Sequence, residues 1–557
     1  MNKTVLKILA LAAFLVFTAL LSRYPAGQNG EAARTDGKIL RMASKQADTR
    51  SLNPHRATAS HDRVLAEMIF NGLLRYRPGS MAIADIEPDL ARSMPRAETL
   101  PDGTQCWTFE LRRGVKFHPF GDREGAEVTA QDVVYSLRRA CDPAKSSYAG
   151  DYQGMRFEAA GRDTVRVILA QPVTADLLLP KLTNRGGGLV VCPQAIEQFG
   201  EDWFNLNPVG TGPFRFTGYT PMEKVELAAN REYFRGVPGL AGIEYYYMPY
   251  VISRELALRK GEVDVIWGPR EQVWGDKMSG LPGIAVDLID GVEIMSLHLN
   301  MSLAPLDSRL VREAIAHAVD RGEFIALYGP GVARPVSSVV PHGMLRGGLS
   351  EQEAVRLGLV REFSPEKSRA LLARAGWPDG FTLKVFVSES DTYVKAFDLL
   401  QAQLGRVGIE LKISIVDQAT YHTRIRQDLN PLVFYTCYRP NPDIILTQFF
   451  HSASIVAAGS SPVTNFCHLG AVDADGDGEV DSIDHLIEQA RRETNPDRQT
   501  ELWKQAQAVI LDQVAAYPLM ALGFTFARSV DVNWGYDLRV ITDGPKATEA
   551  TTKQQPL

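Results

Sequence analysis

Two segments of this chain carry residue types, at spacings, that can do chemistry. The first is Asp473-Ala474-Asp475-Gly476-Asp477-Gly478-Glu479-Val480-Asp481-Ser482-Ile483-Asp484. Asp473, Asp475, Asp477, Asp481 and Asp484 can converge as hard oxygen ligands, with Glu479 offering its main-chain carbonyl, which is the donor set of a calcium loop. Gly478 permits the tight turn such a loop needs. The last ligand is an aspartate, shorter than the glutamate of the full motif. Acids this dense repel one another unless a cation lies among them; the alternative is a solvated acidic turn. No clear helix enters the segment, so it reads as one structural Ca2+ loop and not as a paired sensor. The second segment is Phe434-Tyr435-Thr436-Cys437-Tyr438-Arg439-Pro440-Asn441-Pro442-Asp443. Tyr435 and Tyr438 can stack on a flat or sugar-like ligand, or pack internally. The forked donors of Arg439 match a carboxylate or phosphate; the plainer reading turns them to solvent or an internal acid. Trp267 and Arg270, just past a strand, are a second rank of ligand-binding candidates.

Nothing else in the sequence asks for catalysis. His118, His422, His451 and His468 lack the spacing of a zinc-protease helix, and no Gly-x-Ser-x-Gly elbow is present. Gly210-Thr211-Gly212-Pro213-Phe214 lacks the Lys-Ser/Thr pair and the helix of a phosphate loop, and reads as a structural turn. The five cysteines, Cys106, Cys141, Cys192, Cys437 and Cys467, form no CxxC pair. Their odd number leaves at least one thiol free, and their spacing fixes no pairing; Cys437 and Cys467, which flank one loop region, are the favoured pair if a disulfide forms. The chain is expected not to be an enzyme.

The elements that must position these residues alternate between strand and helix. Lys38–Ala43 starts as a strand, and Asp62–Leu74 has helical spacing. Thr129, with Asp132 three residues on, opens a helix to Arg139. Thr104–Leu111 and Thr164–Leu169 read as strands. Ser364 as N-cap and Pro365 at the first helical position open another helix, which Gly376 stops. Phe381–Val387 is a strand, Tyr393–Val407 a helix, Glu410–Ile415 a strand, and Asn495–Asp512 a long helix. This alternation predicts an α/β architecture.

With 557 residues, the chain is too long for one ordinary core. A formal charge of −6 with interspersed signs gives no basic footprint for nucleic acid. Lys3 and Lys7 precede an apolar run from Ile8 to Leu21, so residues 1–22 are expected to be a secretory signal peptide or, if uncleaved, an inner-membrane anchor. Residues 23–37 read as a linker. No cysteine follows the run, which argues against a lipid anchor.

Linked blocks along the chain carry a family resemblance: Arg50-Ser51-Leu52-Asn53-Pro54; Phe109-Glu110-Leu111-Arg112 with Val115-Lys116-Phe117; Val128-Thr129-Ala130-Gln131-Asp132-Val133; Pro208-Val209-Gly210-Thr211-Gly212-Pro213-Phe214; and Val311-Arg312-Glu313-Ala314-Ile315. Together they resemble the extracytoplasmic solute-binding proteins of ABC importers of the peptide/nickel/opine type. The resemblance implies a two-lobed α/β periplasmic binding protein fold with a hinge. Lobe one would span 38–296, with an extra subdomain at about 64–210, and would be completed by a return segment at 519–545. Lobe two would span 297–518. The last dozen residues, 546–557, are polar and read by themselves as a flexible tail. The resemblance also implies a monomer in a Gram-negative periplasm that captures a solute and delivers it to permease transmembrane subunits. The alternative is a membrane-anchored sensory or chaperone-like binder. Leu52 and Asn53 match the family's early loop at the cleft. In the peptide binders, the segment matching 434–443 carries an aspartate that pairs with the peptide's α-ammonium; here Tyr438 stands at that position and Asn441 replaces a second aspartate. Tyrosine supplies no negative charge at neutral pH, which argues against an ordinary free-amine peptide. Blocked peptides, acidic small molecules, glycosides, opine-like conjugates and metal chelates remain open.

Overall fold

The computed structural model describes residues 38–456, 464–470, 483–540 and 543–554. The expected signal, the linker and positions 473–482 of the acidic loop lie outside the described residues.

A nine-stranded mixed sheet organises the molecule. Its central part is parallel: Ile39–Ser44 lies between Gly242–Tyr247 and Val265–Trp267. Phe214–Thr220 and Lys224–Ala229 extend it as antiparallel strands. Two long antiparallel strands, Ile284–Leu299 and Ala516–Ser529, cross from this sheet into the second lobe. There they meet Leu432–Cys437 on one side and Ala333–Pro335 on the other. Their pairing is interrupted between Ile289 and Glu293 and again between Met295 and Ser296. A broken ladder between two lobes is a place where bending costs little. The crossing strand 516–529 is buried along nearly all its length and reads as an almost continuous apolar run, because both of its faces are covered.

A separate four-stranded sheet, with Gln105–Glu110 and Thr164–Leu169 at its centre, forms the subdomain of lobe one. Lobe two adds a parallel pair, Phe381–Ser388 with Ile409–Val416, packed against helix Asp391–Gly405. The fold is thus the two-lobed α/β periplasmic binding protein fold.

The sequence blocks have physical reasons. Thr129 and Asp132 close a reciprocal capping box on helix Ala130–Ala140. The Ser364 hydroxyl accepts from Lys367 N at the start of helix Pro365–Arg374. Gly210 and Gly212 press on the end of helix Ser60–Ile69: an added Cβ would stand 2.1 Å and 2.7 Å, respectively, from the Ile69 carbonyl oxygen. Only glycine fits that approach, so the motif is a packing device. Arg312 is buried and donates to the carbonyls of Gln513, Leu306 and Asp307 at 2.8–2.9 Å.

Two readings change. The helix expected over Asp62–Leu74 ends at Ile69, and Leu74–Tyr76 is a strand paired with Ile86–Pro88. Residues 546–554, read from their polarity as a loose tail, are docked: Thr552–Lys553 pairs with Val532–Asn533. Lys553 there donates to Asp264 at 2.8 Å and to the Ile39 carbonyl at 3.1 Å. Polar residues bind a surface as well as apolar ones when their partners are placed to receive them. All five cysteines are free thiols, so the favoured Cys437–Cys467 pair is not formed.

Candidate functional site

The parallel strands of lobe one end at the interlobe cleft, the position where open α/β sheets place ligands. Lys45 follows Ser44 directly, and Gly268-Pro269-Arg270 follows Trp267. Glu293 and Phe524 come from the crossing strands. Lobe two contributes the start of helix Asp391–Gly405 and the turn after Leu432–Cys437.

The lobes touch at several points. The Tyr438 hydroxyl donates to the Met81 carbonyl at 3.3 Å. The amide of Gly331 donates to Gln272 Oε1 at 2.8 Å, and Lys395 pairs with Glu271. Further out, Thr174 donates to Gln499 Oε1 at 2.9 Å, and Arg346 lies 3.1 Å from Asp176. These contacts describe a closed cleft.

Arg270 remains on the cleft wall. Its Nη2 lies 2.6 Å from Glu293 Oε2, and its guanidinium sits 4.0 Å above the Phe524 ring centroid. Lys45 is exposed yet walled in, with Arg270, Glu293 and Arg254 on its own side and Asp391 of lobe two within electrostatic reach. Enclosure first, and Arg270 second, pull its amine pKa down to about 8.

Tyr438 is half-buried and packs on the lobe-one core; burial pushes its phenol up to about 12. Tyr435 is wedged between Phe449 and Phe466, with ring centroids 5.4 Å and 5.3 Å away. Arg439 is held by its own lobe: Nε donates to Gln448 Oε1 at 2.6 Å, Nη1 to the Tyr438 carbonyl at 2.9 Å, and the guanidinium lies over Phe449. Asn441 is buried as the N-cap of helix Pro442–Phe450, accepting from Ile444 N at 2.9 Å.

Three candidates serve the framework instead. Trp267 is 5% exposed, with its ring edge-on to Tyr245 and Phe526 and its indole N–H donated to the Asp543 carbonyl, so no ring face is left for a ligand. Leu52 is fully buried. Asn53 is also buried and spends its side chain on Asn205 and the His55 amide.

Beside Tyr438 lies a buried charge cluster that no local spacing announces. Asp543 accepts from Arg63 and, at 2.7 Å, from Arg185, while Glu67 pairs with Lys546. Burial alone would raise the Asp543 carboxyl, but Arg63 and Arg185 hold it well below the usual range. The cluster ties the returning C-terminal segment to helix Ser60–Ile69. Of the acidic loop, Asp484 is described: it accepts from the Ser452 amide at 2.9 Å and from the Ser452 hydroxyl. Among the described residues there is no cluster of acidic, histidine or cysteine side chains suited to a metal.

The family model for "Bacterial extracellular solute-binding proteins, family 5 Middle" matches residues 85–455. Heme-binding protein A of Haemophilus influenzae is 25% identical, over 82% of this chain and 83% of that protein. Glutathione-binding protein GsiB of Salmonella choleraesuis is 24% identical, over 86% and 88%. Among solved structures, MoaA of A. tumefaciens R10 in complex with mannopinic acid is 37% identical and superposes with a TM-score of 0.80, covering 93% of this chain and 100% of that one. DppA of Helicobacter pylori, an ABC transporter-associated periplasmic binding protein in complex with the peptide STSA, is 25% identical with a TM-score of 0.77, over 93% and 98%. A cleft between hinged lobes and this relationship along most of the chain give one conclusion: the chain belongs to the family 5 bacterial extracellular solute-binding proteins, periplasmic non-enzymatic receptors that capture a solute and deliver it to the membrane permease of an ABC importer.

Proposed function

We propose that the solute is a small carboxylated molecule of the opine kind and not a free-amine peptide. The observation that carries this reading is the turn after Leu432–Cys437. Where the peptide binders place an aspartate for the α-ammonium, Tyr438 offers a hydroxyl that is donated to Met81. The nearest carboxylate on the segment, Asp443, is already 3.1 Å from Arg491. A peptide ammonium entering here would lose its water without gaining a counter-charge. The 37% identity with a protein that binds mannopinic acid supports the same reading. Calorimetry of the mature protein with mannopinic acid and with the dipeptide Met-Leu tests it. Binding of the acid alone is expected; tight binding of the dipeptide alone sinks the proposal.

We infer separately that the acidic loop 473–484 holds one structural calcium ion, on the strength of its ligand spacing. Calcium is then expected to raise the melting temperature and chelation to lower it, and an Asp475→Asn variant should lose that response. An unchanged melting curve at millimolar calcium reduces the loop to a solvated turn. Residues 1–22 fit the export signal that brings the chain to the periplasm, and N-terminal sequencing of the mature protein distinguishes cleavage from a retained anchor.

A further inference from the structure

We infer that Lys45 is the residue that selects for an acidic solute, its amine receiving a carboxylate of the bound molecule in the cleft. The inference rests on the reading of a carboxylated solute given above and names the group that recognises it.

Position is the first argument. Lys45 stands at the carboxyl end of a central parallel strand, on the lobe-one wall, with Asp391 of lobe two within electrostatic reach. A side chain between the two lobes meets whatever they close upon.

Engagement is the second. The cations around it are committed. Arg270 is bound to Glu293 and stacked on Phe524. Arg254 is buried and donates to the carbonyls of Trp267, Met248 and Pro249. Lys395 pairs with Glu271, and Arg439 is held by Gln448 and the Tyr438 carbonyl. Lys45 makes no hydrogen bond or ion pair among the described residues, and its side chain is exposed. An ammonium beside the crossing strands with no hydrogen-bonded acceptor of its own is a place for a carboxylate, since the ligand supplies the missing acceptor.

Balance is the third. The charged groups that act on the amine are Arg270 after strand Val265–Trp267, Arg254 on helix Val251–Arg259, Glu293 on the crossing strand and Asp391 at the start of the lobe-two helix. With Lys45 itself, that makes three cations against two carboxylates. Glu293 is neutralised by Arg270, which leaves Lys45 and Arg254 against one carboxylate; Arg254 is buried on main-chain carbonyls, so the exposed cation is Lys45.

The amine's position near pH 8 adds a signature. At pH 7 it is mostly charged and ready for an anion. As the pH rises past about 8, the free protein loses that proton and the affinity for a carboxylate must fall. An arginine at the same position keeps its charge throughout.

The experiment is calorimetric titration of the mature full chain with mannopinic acid at pH 7 and pH 9.5, using wild type, Lys45→Gln and Lys45→Arg, with melting temperatures as a control for folding. The expected result is a loss of roughly thirtyfold or more in Lys45→Gln, with Lys45→Arg within about threefold of wild type at pH 7. Wild-type affinity should fall about tenfold or more at pH 9.5, and that of Lys45→Arg should not. Binding by Lys45→Gln within twofold of wild type overturns the role of Lys45 and leaves the reading of an acidic solute standing. Failure of wild type to bind mannopinic acid, with Met-Leu bound instead, overturns that reading, and the role of Lys45 with it.

Discussion

Tyr438 and Met81 sit on opposite lobes and meet through one hydrogen bond, hydroxyl to carbonyl, at 3.3 Å. The bond exists only when the cleft is closed, so its energy counts toward closure and not toward the stability of either lobe. A neutral bond of this length contributes at the low end of about 0.5–1.5 kcal/mol. Tyr438→Phe keeps the ring and removes the hydroxyl. The expected outcome is a two- to fivefold loss of solute affinity with an unchanged melting temperature, read by calorimetry and thermal unfolding. An unaltered affinity would mean that the contact contributes nothing to closure.

Asp543 ties the C-terminal segment to lobe one through Arg63 and Arg185, and its side chain is 2% exposed. Removing one charge from such a cluster leaves the others buried and uncompensated, at a cost of about 3–5 kcal/mol. Asp543→Asn should therefore lose about that much stability in urea unfolding at pH 7. Because the folded carboxyl lies below its unfolded value, the contribution is present above the ordinary carboxylate pKa and is lost as the pH falls through that range. A variant as stable as wild type would show the cluster to be balanced without its acid.

His298 is buried among Phe449, Phe450 and Phe466, and burial lowers its pKa from 6.5 to about 3. Between those values the unfolded chain binds a proton that the native state refuses. Stability therefore falls as the pH drops below 6.5, by about 1.4 kcal/mol per pH unit from this residue. His298→Phe should flatten the difference in unfolding free energy between pH 7 and pH 5 by about 2 kcal/mol. The slope is the readout, since the new ring can alter packing at every pH; an unchanged slope refutes the assignment.

Much of the fold was legible because its signals are local. Thr129 with Asp132, and Ser364 before Pro365, each announce a helix start within four residues, and the structure closes both caps. The family's blocks were legible through their order. The site was harder to read because residue type does not reveal who else claims a side chain. Trp267 looks like a ligand platform in sequence, yet its indole is spent on the Asp543 carbonyl 276 residues away. Asn441 looks like a cleft residue and is the cap of its own helix. Lys45 had the reverse fate: a lone lysine after a strand matches no motif. Its significance comes from Arg270, Glu293 and Asp391, which only the fold brings within its reach.

The strand Ala516–Ser529 has neighbours in both lobes: Val265–Trp267 in the first, Ala333–Pro335 in the second, and the other crossing strand along its length. Neither lobe can complete its sheet until that strand is available, and it follows every other strand of that sheet along the chain. A chain stopped at residue 515 should be digested readily by protease throughout, and not only in one half. Until that segment is in place both halves remain unfinished, and one late strand completes them together.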